Sequence, residues 1–132
     1  MSGTLLLLVT VAAFGCAPKE TGARNGAMVL DVCGARKIKN PTDEQIRIEL
    51  GNLNTKNGDA FAILGPSEMT YIQVGGDRFV GFHLEYQEGS VDAHFQATNE
   101  KITLDQVVDA FIAYRHATTG WQSGFAFKKI TW

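Results

Sequence analysis

Histidine and carboxylate side chains gather in one short stretch of the chain, at His83, Glu85, Asp92 and His94. Two imidazoles and a carboxylate can give a zinc-like ion three ligands. A carboxylate beside an imidazole can also work as an acid–base pair. Joined by Tyr71, Gln73 and Trp132, the same residues can instead form a polar–aromatic recognition surface, the mixture on which protein interfaces are anchored. The choice depends on how the backbone places them.

The element that must place them is a β-hairpin. Apolar residues alternate at Val80, Phe82, Leu84 and Tyr86 and resume at Val91, Ala93, Phe95 and Ala97, the period of strands with one buried face. His83, Glu85, Asp92, His94 and Gln96 take the intervening positions and share the other face. With Glu88-Gly89 as a two-residue turn, His83 is expected opposite His94 and Glu85 opposite Asp92, their Cβ atoms about 4.5–5.5 Å apart. A turn of any other length realigns every pair.

Around the hairpin the chain reads as a small layered domain. Asn40-Pro41-Thr42-Asp43-Glu44 is a helix start, with Asn40 as the cap and Pro41 in the first turn. Ile46, Leu50 and Leu53 continue it as one apolar stripe. Ala60–Leu64 and Met69–Val74 read as strands preceding the hairpin. Thr103-Leu104-Asp105-Gln106 has the spacing of a capping box, and Leu104, Val107, Val108, Phe111 and Ile112 form the stripe of a second helix. Gly120 is placed as its stop, and residues 124–132 read as a last strand. The order α-β-β-β-β-α-β describes an α+β fold, a single antiparallel meander sheet with two helices packed on one face. The helices are expected to cover the Ile72, Phe82, Leu84 and Phe95 side, which leaves the other face open.

At 132 residues and a net charge of −2, the chain suits one domain and lacks the basic footprint of a nucleic-acid binder. It has no phosphate-cradling glycine loop and no nucleophile motif, so no cofactor and no enzymatic activity are expected. Residues 4–14 are an apolar run of signal-peptide length that ends at Ala13-Phe14-Gly15-Cys16, like the cleavage box of a bacterial lipoprotein. This divides the chain into a leader over 1–16 with Cys16 as the lipid-attachment residue, a tether and apolar tail over 17–39, and a globular domain over 40–132. Lipidation of Cys16 would hold the protein at a membrane. The leader carries no Lys or Arg before its apolar run, and Met28 offers an alternative start that would make the protein cytoplasmic. Cys33, in an apolar segment, reads as a small buried hydrophobe.

Several segments together carry a resemblance: Thr70-Tyr71-Ile72-Gln73, Phe82-His83-Leu84-Glu85-Tyr86-Gln87-Glu88-Gly89-Ser90, His94-Phe95, the helix from Thr103 to Phe111 with Tyr114, and Trp121 with Phe125-Ala126-Phe127. They resemble small bacterial α+β proteins, among them immunity proteins encoded beside secreted polymorphic toxins. The resemblance covers roughly residues 40–132 and brings no catalytic residues with it. It implies a partner blocked by surface contact, and an exported form would fit a toxin acting in the periplasm. The expectation is therefore a non-enzymatic interaction protein whose partner-binding face holds Tyr71, Gln73, His83, Glu85, Asp92, His94 and Trp132. The alternative is a metal-binding lipoprotein using His83 and His94.

Overall fold

The computed structural model describes residues 27–132, and the expected leader, Cys16 and the tether as far as residue 26 lie outside the described residues. The chain forms β1 (Val29–Val32), β2 (Arg36–Lys39), α1 (Asp43–Gly51), β3 (Phe61–Ser67), β4 (Thr70–Asp77), β5 (Gly81–Glu88), β6 (His94–Ala97), α2 (Leu104–Arg115) and β7 (Phe127–Lys129). The seven strands make one antiparallel sheet in the order β2-β1-β3-β4-β5-β6-β7. With two helices beside it, this is the α+β architecture that the alternating pattern implies.

Alternation sorts the sheet into two faces. Leu30, Ala62, Leu64, Ile72, Val74, Phe82 and Leu84 stand in register on one side and are buried. Ile46 and Leu50 of α1 and Val107 and Phe111 of α2 join them in a single core. Full burial of each such side chain contributes about 1.5–3 kcal/mol, so this layer dominates stability. The helices also touch each other end to end. Asp43, in the first turn of α1, meets Arg115 and His116 at the end of α2. An acid at a helix start and the Arg115 cation at a helix end both suit the dipoles.

Several features differ from the sequence expectation. Residues 29–39 are no tether or tail: β1 is an internal strand bonded to β2 and β3, so the globular unit begins before residue 40. Cys33 is exposed rather than buried, because it sits at φ 58° in the tight β1–β2 turn. The cap of α1 is Thr42, whose hydroxyl accepts from the Gln45 amide while the Gln45 side chain accepts from the Thr42 amide. Asn40 instead takes φ 50° and closes the hairpin, its Oδ1 accepting from the Met28 amide. Asparagine tolerates that left-handed backbone better than most residues.

At the other helix the expected capping box of Thr103 and Gln106 is formed. Its stop, however, is Ala117 and not Gly120. Ala117 adopts φ 54°, its amide bonds to Tyr114 O and the Thr118 amide to Ala113 O, the paired bonds of a Schellman ending. Gly120, at φ 79°, opens the 3-10 turn Trp121–Gly124, which shortens the last strand to Phe127–Lys129. One glycine is indispensable to the sheet. A Cβ at Gly65 would lie 2.2 Å from Thr70 O, where β3 and β4 close across a bulge.

Candidate functional site

The open face is built from cross-strand rungs. One rung runs Tyr71–Gln87–His94 across β4, β5 and β6; the next runs Gln73–Glu85–Gln96 and continues to Lys128 on β7. His83 lies one rung further along, opposite Gly75. The expected pairing of His83 with His94, and of Glu85 with Asp92, is therefore not made. Val91–Ala93 form a 3-10 turn, with the Ser90 hydroxyl accepting from the Asp92 amide, so the connection spans residues 89–93 rather than two. His94 consequently faces Gln87, four positions along β5 from His83. An even displacement preserves side-chain facing, so His94 and Gln96 stay on the open side while their partners change. Asp92 leaves the face altogether and sits exposed in the turn.

The first rung is closed upon itself. Gln87 is buried, and its Nε2 donates to Met69 O at 3.2 Å. This orients its Oε1 to accept from Tyr71 Oη at 3.4 Å and from His94 Nδ1 at 3.0 Å, since the opposite amide orientation would set two carbonyl oxygens together. His94 Nε2 meets Glu85 Oε1 at 2.8 Å. That contact is charge-assisted by the carboxylate. Both imidazole nitrogens are thus committed to oxygen partners. Burial, and after it the negative charge of Glu85, raises the pKa of Tyr71 above its ordinary value.

Aromatic rings close over the histidine. Trp132 lies edge-on with its ring centroid 5.4 Å from that of His94, and Tyr71 stands at 6.3 Å. His94 is buried as a result, yet Trp132 itself is 82 % exposed. The ladder reaches past β7, where the Ile130 amide donates to His94 O, and this carries the chain end onto the open face. Of the expected face, Tyr71, Gln73, His83, Glu85, His94 and Trp132 share this surface and Asp92 does not. Among the described residues, no group of three or more His, Cys, Asp or Glu side chains is placed to hold a metal ion.

Sequence reasoning missed Gln87, the residue that orients the rung. Its signal was present, since 83, 85 and 87 continue one alternation, but a two-residue turn would set it opposite Ser90 and not His94. A second missed residue is Asp77 at the end of β4. It is buried and accepts from the Thr55 amide and hydroxyl and from the amides of Phe79 and Val80, all at 2.7–2.9 Å. Hydrogen bonds from the Thr55 and Val80 amides lead in lowering its pKa to about 2. The turn that it holds displays Phe79 and Val80 at 69 % and 62 % exposure. No protein-family model, curated protein or solved structure matches the chain.

Proposed function

We propose that this chain is a non-enzymatic interaction domain of the immunity type, which blocks a protein toxin by covering it with the open sheet face. The observation that carries the reading is Trp132, 82 % exposed and seated against a hydrogen-bonded rung. A large aromatic held on a rigid polar platform forms a contact with little ordering cost, which is why tryptophan and tyrosine dominate interface hot spots. The resemblance of residues 40–132 to immunity proteins points to the same class of partner. In this reading Cys16 carries the lipid and the domain works at a membrane surface. Labelling with a fatty-acid analogue tests that part, and an unlabelled product beginning at Met28 would place the protein in the cytoplasm instead.

The decisive experiment is co-production with the toxin domain encoded in the neighbouring reading frame, scored by growth. Protection by the native chain, lost on Trp132→Ala combined with Tyr71→Ala while the fold persists, supports the open face as the contact surface. Protection that survives both substitutions would remove that face from the mechanism. A neighbouring toxin that the native chain fails to neutralise would remove the immunity reading.

A further inference from the structure

The two rungs differ in what they leave unused. Tyr71, Gln87 and His94 satisfy one another, whereas the adjacent rung has acceptors to spare. Glu85 gives Oε1 to His94, and its Oε2 has no protein partner among the described residues. The flanking carboxamides of Gln73 and Gln96 have no side-chain hydrogen bond there either. These three residues line a bowl of about 280 Å³ with His83 and Gly75. Gly75 contributes no side chain, so the bowl stays open above the backbone.

From this geometry we infer that the rung Gln73–Glu85–Gln96 is the seat of an arginine side chain supplied by the protein partner. The inference rests on the interaction reading above and names what that face recognises. Three acceptor-bearing side chains stand in a line on adjacent strands, about 4.8 Å apart. A guanidinium is planar and carries five N–H donors in a fixed fork, so it can bond the free carboxylate oxygen and a flanking carboxamide oxygen together. An ammonium is a compact, strongly hydrated point charge and gains less from an extended row. Because His94 holds Oε1, the carboxylate is oriented before the ligand arrives, which lowers the ordering cost of binding.

The test uses the full chain and N-acetyl-arginine amide, a blocked residue that imitates arginine within a protein. Nuclear magnetic resonance follows the side-chain amides of Gln73 and Gln96 and the His94 ring, with N-acetyl-lysine amide as the comparison. The expected result is saturable shifts confined to this rung, with the lysine derivative weaker by roughly tenfold. Glu85→Gln should weaken arginine by about tenfold as well. Gly75→Leu provides an independent block. A Cβ there meets only Ala60 O at 3.9 Å, so the backbone has room for the substitution, and a side chain that occupies the bowl should abolish the shifts. Shifts that do not saturate, or that are equal for lysine and unchanged by Glu85→Gln, would overturn the inference. Free arginine binding tenfold tighter than the blocked derivative would overturn the protein as its source. Toxin neutralisation that survives Glu85→Gln and Gly75→Leu but fails on Trp132→Ala would sink the arginine seat and leave the interaction reading standing. Arginine binding without any neutralisation would do the reverse.

Discussion

Asp77 and Glu85 are carboxylates on neighbouring central strands, and the protein uses them in opposite ways. Asp77 is turned inward and surrounded by donors from the Thr55 loop and from its own turn. Its charge is spent on holding chain segments together. Glu85 is turned outward, touches one imidazole through one oxygen, and keeps the other oxygen free. A carboxylate whose acceptors are all filled from within contributes to the fold, and one left half-filled at the surface is available to a ligand.

The largest break in that comparison is a third carboxylate placed where neither solution exists. Phe82 faces the helices and is 2 % exposed, so Phe82→Asp buries a charge with no partner. It should cost about 5 kcal/mol or more and leave no cooperative melting transition by calorimetry. Next is Asp77→Ala, which strands the amides of Thr55, Phe79 and Val80. A fall in melting temperature on the order of 10 °C is expected.

The pH dependence of Asp77 follows from its pKa, lowered from 3.8 to about 2. A carboxylate with a depressed folded-state pKa stabilises fully above its unfolded value, and that contribution fades as pH falls from about 4 towards 2. Melting curves across this window should show a slope in the native chain that Asp77→Asn flattens. Glu85→Gln sharpens the contrast from the other side: stability should change by about 1 kcal/mol or less, as read from urea unfolding, while arginine binding at the open face weakens about tenfold. The smallest effect belongs to Phe79→Ser. Its ring is exposed and lies beneath the Arg78 guanidinium, 4.9 Å away, so unfolding free energy should move by about 0.5 kcal/mol at most.

Much of this was legible before any coordinates. The alternation of Phe82 and Leu84 against His83 and Glu85 assigned both faces, because side-chain facing depends only on strand period. The capping box of Thr103 and Gln106 marked its helix for an equally local reason. What could not be read is what depends on length and partners. Val91 continues the apolar alternation, yet it belongs to a 3-10 turn, and that turn decides which residue His94 meets. The segment Arg36–Lys39 is a strand without an apolar pattern, since an edge strand with three cations needs burial only at Ile38. Asp77 looked like an ordinary turn residue because its four donors include two from Thr55, a segment distant in sequence.

The sheet order also has a mechanical consequence. Residues 1–26 join the described fold at the start of β1, which is bonded along its length to β2 on one side and to β3 on the other. A pull applied through that end loads both ladders in shear, along the strand axis, so several hydrogen bonds must yield at once. A pull on Trp132 acts on β7, an edge strand bonded to β6 alone, so fewer hydrogen bonds resist it. The chain therefore resists force unequally at its two ends, and the stronger end is the one that a membrane anchor would pull.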